Sequence, residues 1–308
     1  MDPVTLLSTF VSIADTGSIS AGARKLRLSI AVASRRLRAL EDDVGAPLFR
    51  RTTRRISLTE AGADLLPRAR RLLRDLDELR DAVRPSASPR GRLVVSAPVS
   101  FGLPQIAPVI PELLQRHRGL TIELRLEDRV VDLLTDGVDL AIRVGAMPPD
   151  SPFVIARRLA TFERVLCAAP SLLKRIGSPA SVAELDEAPC LVLGGGPTTW
   201  RFETVEGPRA VTVDGPMRSN NVLALRDAAL AGLGIAQLPR WLVLDELQKR
   251  RLVRLLDGAI LPAVEVIGLV HVDARHSRAL RAVQDHLADV LPRSLGTGER
   301  AKGRRSTR

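Results

Sequence analysis

Four arginines crowd one six-residue stretch, Arg50, Arg51, Arg54 and Arg55, held between Leu48-Phe49 on one side and Ile56-Ser57-Leu58 on the other. A guanidinium keeps its charge at any working pH and offers a rigid fork of N–H donors that matches phosphate oxygens. About twenty residues upstream, Ser29, Ile30, Ala31, Ser34 and Arg35 combine small side chains with a single arginine. Small residues let a backbone come close to a surface, and an arginine can bond both acceptors of a guanine edge. The chemistry on offer is recognition of a polyanion with readable edges, double-stranded DNA.

Such groups work only if helices and strands aim them. Leu7, Phe10, Val11 and Ala14 recur at the spacing of one helical face, and Gly17 ends that helix. Ser18 or Ser20 can cap a short second helix through Ala21, Ala23 and Leu26, and Ser29 can cap a third. On the third, Ala33, Leu37, Leu40 and Val44 form the expected buried stripe, with Ala31, Arg35, Arg38 and Asp42 opposite and Ser34 at the edge. Taken alone, that helix also reads as an ordinary amphipathic helix with a solvated basic face. The arginine-tipped pair of apolar runs that follows favours a recognition helix with a β-wing gripping phosphates or a minor groove.

Charge is distributed accordingly. Residues 1–90 carry 17 Lys and Arg against 11 Asp and Glu, residues 91–292 carry 23 against 23, and residues 293–308 carry 6 against 1. A basic head on a neutral body indicates that one part meets a polyanion. The closing stretch from Ser294 to Arg308 lacks apolar periodicity and is expected to be a basic disordered tail over 293–308.

After a capping box expected from Ser57 to Glu60, Leu65, Ala69, Leu72, Leu76, Leu79 and Val83 recur at alternating spacings of four and three. This predicts a helix over about Thr59–Arg84, bent at Pro67, that pairs with its copy. Packing of the same stripe on its own body is the alternative. Pro85-Ser86-Ala87-Ser88-Pro89 then makes a hinge.

From Arg92 onward, apolar runs at Leu93–Val95, Ile122–Leu126 and Leu140–Val144 alternate with helical stretches such as Ile106–Leu114, implying a parallel sheet. A second set starts near Arg164-Val165-Leu166 and continues through Leu191–Leu193, Val211–Val213 and Gly234–Ala236. The run Val264–Val270 and a helix over Arg278–Leu291 should cross back to the first lobe, leaving a cleft between lobe I (91–162 and 266–292) and lobe II (163–265). Free N–H groups at the first strand-to-helix turn, Ser96 to Phe101, suit a carboxylate. Thr198, Trp200, Asn220 and Asn221 are expected on turns across the cleft. For each of these, a plain turn or capping role competes with ligand contact.

Five segments in order, Phe10–Ser18, Ala21–Leu26, Ser34–Glu41, Pro47–Arg54 and Leu58–Gly62, resemble the winged helix-turn-helix of LysR-type transcriptional regulators. Gly91–Leu103, Asp139–Gly145 and Ala231–Ile235 are similar to the effector domain of the same family, which resembles periplasmic solute-binding proteins. The resemblance implies an α+β multidomain chain. A winged helix-turn-helix over 1–58 would lead through a dimerising, coiled-coil linker helix and hinge over 59–90 to a two-lobed α/β effector-binding domain over 91–292. It implies DNA contact at Ser29, Ile30, Ala31, Ser34, Arg35 and Arg54, with Arg51, Thr52 and Arg55 as further candidates. It also implies effector contact at Ser100, beside Phe101. The implied partners are promoter DNA, a small-molecule effector with a carboxylate as one class, a second copy forming a homodimer, a homotetramer built from dimers, and RNA polymerase. One departure from the family pattern is Ile30-Ala31, where members usually carry a Gln-Pro or Pro-Ser pair.

Catalytic signatures are absent: there is no G-x-S-x-G, P-loop, complete G-x-G-x-x-G, H-E-x-x-H or C-x-x-C. Gly232-Leu233-Gly234 lacks the third glycine of a dinucleotide site, and Gly194-Gly195-Gly196-Pro197 reads as a flexible turn before an anion nest. His117, His271, His276 and His286 do not space as a metal set, and Cys167 and Cys190 sit in apolar runs as small hydrophobes. No cofactor is expected, and neither a secretory signal nor a membrane span is legible, which predicts a cytoplasmic protein. Rival readings are a solute-binding or enzymatic α/β protein whose head only dimerises, and an architectural DNA binder with no effector. The first leaves the wing arginines without a use, and the second requires a cleft without polar lining.

Overall fold

The structure is a computed structural model describing residues 2–51, 56–82, 88–195 and 198–296. The head opens with α1 (Pro3–Thr16), α2 (Ile19–Lys25) and α3 (Ile30–Val44), followed by an antiparallel pair, β1 (Phe49–Arg51) and β2 (Ile56–Leu58), and by α4 (Glu60–Ala82). Gly17 ends α1 with φ +62°, and Ser18 and Ser29 cap the next two helices by accepting from the N–H groups of Ala21 and Val32. Leu6, Phe10, Ile13, Leu37, Leu40 and Leu48 are buried together, each worth about 1.5–3 kcal/mol on transfer from water. The α1 face is therefore rotated from the expected one, with Leu7, Val11 and Ala14 at its margin. Val44, expected in the stripe of α3, is 42% exposed, because the chain leaves the helix there at Gly45.

Two backbone details fix the helix-turn-helix angle. Ser12 Oγ donates to the carbonyl of Gly22 at 3.0 Å, and a Cβ at Gly22 would stand 2.9 Å from the Ile13 backbone, so α1 and α2 cross at a distance only glycine permits. At the turn, Leu28 N–H bonds Ala23 O and Arg27 N–H bonds Arg24 O. This is the paired closure of a helix whose next residue is left-handed. That residue is Arg27, at φ +56°, where glycine is usual.

The expected capping box at Ser57 is corrected by the structure. Ser57 lies in β2, and Thr59 caps α4, accepting from Gly62 N–H at 3.0 Å while donating to Pro47 O at 2.6 Å. The helix passes through Pro67 and spans about 35 Å. Its expected seam divides. Ala69 is 2% exposed within the head core and Leu65 packs against the same core, so neither is free to pair with another helix. Leu72 and Leu79 are 49% and 66% exposed. Val83 and most of the expected hinge lie outside the described residues.

Lobe I is a five-stranded sheet ordered β4 (Gly119–Leu126), β3 (Arg90–Ala97), β5 (Leu140–Gly145), β14 (Val264–His271) and β6 (Val154–Phe162). Between β3 and β4 runs one helical stretch, α5 (Val99–Phe101), a π turn (Gly102–Ile106), a 3-10 turn (Ala107–Val109) and α6 (Ile110–Arg116). Pro104, Pro108 and Pro111 each withhold an N–H there, which accounts for the changes of pitch. Lobe II contains β7 (Arg164–Ala168), α7 (Pro170–Ile176), β8 (Cys190–Leu193), the hairpin β9 (Thr198–Thr204) and β10 (Gly207–Val213), and β11 (Met217–Ser219). It continues with α8 (Val222–Leu230), β12 (Ile235–Pro239), α9 (Arg240–Gln248) and β13 (Val253–Arg254). Its sheet order is β11-β8-β12-β7-β13, and the run at Val211–Val213 belongs to the separate hairpin. Both sheets are mixed where a parallel sheet was expected. The first strand after each crossover, β7 in lobe II and β14 in lobe I, runs antiparallel to both of its neighbours because the chain arrives from the other lobe instead of returning over a helix.

Finally α10 (Arg278–Ser294) returns to lobe I and covers its sheet with Leu280, Val283, Leu287 and Leu291. The helix reaches past residue 292 and Leu295 is 4% exposed in the same core, so the expected tail starts later than 293. Residues 297–308 lie outside the described ones.

Head and body meet at Asp15. Its carboxylate takes Arg70 at 2.5 Å, Arg92 of β3 at 3.1 Å and Lys25 at 3.5 Å. Burial pushes this carboxyl up, but the hydrogen bond from Arg70 and the charges of Arg70, Arg92 and Lys25 outweigh it and hold it below the usual carboxylate range. A depressed carboxyl stabilises the fold above its unfolded value near ~3.9 and loses that contribution as pH falls through the folded value. Melting wild type and Asp15→Asn across pH should therefore show a full gap at neutral pH that closes below about pH 4; a constant gap assigns Asp15 no such role. Arg27→Gly relieves a left-handed backbone and should raise stability by about 1 kcal/mol, seen as a higher melting temperature; a fall would show that the arginine side chain supports the turn.

Candidate functional site

Two surfaces gather the chemistry-bearing residues. On the head, burial of Ala33, Leu37 and Leu40 turns the opposite side of α3 to solvent. Ser29, Ala31, Arg35 and Arg38 are exposed there, Ile30 is 56% exposed and Ser34 is half-buried at the edge. Ser29 Oγ accepts from Val32 N–H at 3.2 Å and keeps its own proton for an outside acceptor. The wing stands beside this helix because Glu41 Oε1 accepts from the N–H groups of Leu48 and Phe49 at 2.8 and 3.4 Å. Arg50 is exposed on β1 and Arg51 ends it, while Thr52, Arg54 and Arg55 lie outside the described residues. The start of α3 and the exposed Arg35, Arg38 and Arg50 make the head positive on its solvent side.

The second surface is a cleft of about 840 Å³ between the lobes. Ser100, Phe101, Thr198, Trp200 and Asn220 line it, five of the six residues expected there. Thr198 and Trp200 belong to β9, not to a turn, and Trp200 is 5% exposed in the lobe II core. Asn221 is a correction: its side chain caps α8, accepting from Leu223 N–H at 2.9 Å, and it does not line the cleft. Phe101 and Phe162 of lobe I pack with Trp241 of α9, ring centroids 6.0–6.3 Å apart, and all three line the cleft. The turn before α5 also departs from expectation, since Val99 N–H already donates to Asp128 Oδ1 at 3.0 Å. A carboxylate of the chain occupies the donor that was expected to be open.

The residues missed from the sequence are polar side chains inside apolar strands. Arg143 in β5 donates from Nη1 to Ile142 O at 2.7 Å, and its Nη2 is buried without a partner. Burial pushes its guanidinium down, the charge of Glu127 pulls it up, and Arg129 pushes it down again, for a net fall. Arg164 opens β7, donating from Nη1 to Gln237 Oε1 at 3.0 Å and from Nη2 to Pro262 O at 3.3 Å. Its Nε, Gln237 Nε2 and Trp241 Nε1 are likewise buried without partners. Burial alone lowers Arg164. The signal was present in Leu140-Ala141-Ile142-Arg143-Val144 and Ile235-Ala236-Gln237-Leu238, where one polar residue interrupts an otherwise apolar strand.

Other candidates are accounted for structurally. Cys167 and Cys190 belong to cores on opposite faces of the lobe II sheet, and burial pushes both thiols up to about 12. Among the described residues no three His, Cys, Asp or Glu side chains cluster as metal ligands, and His286 is buried against Val109 O at 3.0 Å. No helix among the described residues is long and apolar enough to cross a membrane.

Family models match both parts of the chain. Residues 4–63 match the bacterial regulatory helix-turn-helix protein, lysR family, and residues 86–292 match the LysR substrate binding domain. The HTH-type transcriptional regulator DmlR of Escherichia coli (strain K12) is 34% identical over 261 residues, covering 83% of this chain and 84% of the relative. PtxR of Pseudomonas aeruginosa is 34% identical over 290 residues, covering 91% and 92%. The solved structure of CrgA, a LysR-type transcriptional regulator from Neisseria meningitidis, is 27% identical, with a TM-score of 0.59 over 93% of this chain and 98% of that one. With a helix-turn-helix head and a two-lobed body enclosing a cleft, the chain belongs to the LysR family of transcriptional regulators.

Proposed function

We propose that paired heads of this regulator read a promoter through the first half of α3 and the wing, and that a small molecule in the cleft changes their grip. Contact falls to Ser29, Ile30, Ala31, Ser34 and Arg35 on the helix, and to Arg51, Thr52, Arg54 and Arg55 on the wing. Ser100, Thr198 and Asn220 meet the effector. The units are the head (1–58), the linker helix and hinge (59–90) and the effector domain from residue 91. The protein acts by binding, not catalysis, in line with relatives named as transcriptional regulators. The observation that carries the reading is the exposure of Arg35 and Ile30 over the sealed stripe Ala33, Leu37 and Leu40. An architectural binder without an effector does not account for a cleft lined by Ser100, Arg143, Arg164 and Asn220.

Pairing is assigned to the free half of α4. Leu72 and Leu79 are exposed at helical spacing with Leu76 half-buried between them, an apolar stripe that a second copy covers. Dimers formed this way assemble into the tetramer.

Arg35→Ala should weaken binding to a promoter fragment by about 1–3 kcal/mol and flatten base preference at one position, measured by fluorescence anisotropy across salt. Wild-type affinity that hardly changes with salt would overturn the phosphate contacts. Leu79→Glu should shift the sedimentation coefficient of the full chain toward a smaller assembly and reduce DNA affinity in parallel. An unchanged assembly places the dimer contact elsewhere.

A further inference from the structure

Consecutive residues of a helix point about 100° apart, and α4 uses two of them to face different neighbours. Arg70 turns to Asp15 of the head at 2.5 Å, and Arg71 turns to Asp273 in the 3-10 turn (Val272–His276) that follows β14 of lobe I. Arg70 also lies over lobe I, where a Cβ at Gly137 would stand 3.4 Å from its Nη1. A single turn of α4 thus clamps head to lobe. The Asp273 carboxylate in this clamp is shared. His271, at the end of β14 with its side chain 14% exposed, brings Nδ1 to 3.0 Å from Asp273 Oδ2 and to 3.3 Å from Asp273 N. The two contacts exclude each other. A neutral ring with a bare Nδ1 accepts the backbone N–H, whereas a protonated ring donates from Nδ1 to the carboxylate. Asp273 therefore serves Arg71 of α4 while the ring is neutral and gains a second, competing cation once it is charged.

The surroundings favour the neutral ring while the head is docked. Burial first and the charge of Arg71 second push His271 down from its ordinary value, and Asp132 pulls it up. Asp132 accepts from the N–H groups of Leu134 and Thr135 at 2.9 and 2.8 Å. Val154 of β6 faces His271 in register and carries no charge. Asp139, just ahead of β5, is buried and accepts from Val94 N–H at 2.8 Å. Arg275 and His276 at the end of the turn bond each other at 2.8 Å, and Arg278 opens α10 beyond them. A ring relieved of Arg71 binds a proton more readily, so protonation favours the form in which Arg71 has left. Docking is complete above the ordinary histidine value of ~6.5 and weakens as pH falls through the lower value of the docked ring.

We propose that His271 is a proton-operated release for the tie between α4 and lobe I: the charged ring takes the Asp273 carboxylate, Arg71 is displaced, and the head turns away from lobe I about the Asp15 contact. Asp15 holds because its carboxyl lies below the usual carboxylate range, so between about pH 5 and 6.5 only the His271 end opens. The movement has reach. Past Arg71 the helix carries the exposed Leu72 and Leu79, and its release reorients the stripe that a second copy covers. The signal is the proton itself, and no occupant of the cleft takes part.

The test is Förster transfer between dyes on the full chain, attached at Ser20→Cys in the head and Gln115→Cys in lobe I, both exposed. Cys167 and Cys190 are buried and stay unlabelled, and dilution with unlabelled chain leaves one labelled copy in each assembly. Between about pH 8 and about pH 5 the otherwise wild-type chain should pass from one head-to-lobe distance to a second. The ratio of docked to released chains should fall by at most about tenfold per pH unit, as one proton requires. His271→Gln accepts the same N–H without titrating and should stay docked throughout. Asp273→Asn should show the released distance already at the higher pH. Arg71→Gln, which removes the tie from the α4 side and leaves lobe I untouched, should match it and keeps the test alive if the lobe I variant misfolds. A distance indifferent to pH, a His271→Gln variant that still responds, or an Arg71→Gln variant that stays docked at the higher pH would each overturn the release.

Discussion

Ala33, Leu37 and Leu40 of α3 are sealed against Phe10, Ile13 and Leu6, and that burial decides which side of the helix remains outside. At about 1.5–3 kcal/mol for each large side chain, rotating α3 by a quarter turn would expose Leu37 and Leu40 at a cost of about 3–6 kcal/mol, a large part of the ~5–15 kcal/mol by which a domain is folded. The helix has no freedom to turn another face to a groove. Everything a DNA contact needs from the head follows from that seal. The exposed edge carries Ser29, Ile30, Ala31 and Arg35, and Glu41 on the same helix holds the first strand of the wing through two backbone N–H groups.

The body solves the opposite problem. The head is defined by what it seals, whereas the cleft is defined by polar groups that the fold buries without satisfying. Lobe I and lobe II each have complete cores, and their strands alternate strictly: Val165, Cys167 and Ala169 pack on one face of β7 and Leu166 and Ala168 on the other. Arg164 opens β7 and Gln237 lies midway along β12, on the strand faces that also carry Leu166 and Ile235, and both residues line the cleft between the lobes. Their cost in stability is local. It falls at the crossovers, where a small change in geometry alters the angle between two rigid units.

Much of this was legible from the chain. Helical spacing, Gly17 and the serines at 18 and 29 defined the helix-turn-helix, because caps and periodicity are local properties. The paired runs around the arginines showed the wing for the same reason. The face of α1 was misjudged because the same periodicity fits two neighbouring rotations, and only the crossing at Gly22 selects one, while Val44 was misjudged because the helix ends there at Gly45. The α4 seam was legible as a stripe but not as two halves, since a heptad does not say whether its partner is a second copy or the head itself. Strand direction was misread because a crossover between lobes leaves no local mark. Arg143, Arg164 and Gln237 were passed over because their role depends on strands far apart in sequence meeting at one edge.

The division of α4 bears on how the parts communicate. Its first half is welded to the head through Ala69 and Leu65, and Arg70 carries that weld to Asp15, which also holds Arg92 at the start of β3. Arg71 of the same helix pairs with Asp273, beyond the end of β14. The head is thus tied to lobe I near the origin of β3 and beside the end of β14. From Arg92 the strand continues to Ala97, just before the Ser100 turn on the cleft wall. A strand is stiff along its length, so lobe I and the head move together as far as these ties hold, and lobe II moves against them at Arg164. A change of angle at the crossovers therefore shifts lobe II relative to a head–lobe I unit. In an assembly whose contacts include lobe II, such a shift alters the spacing between heads without any helix of the head being repacked.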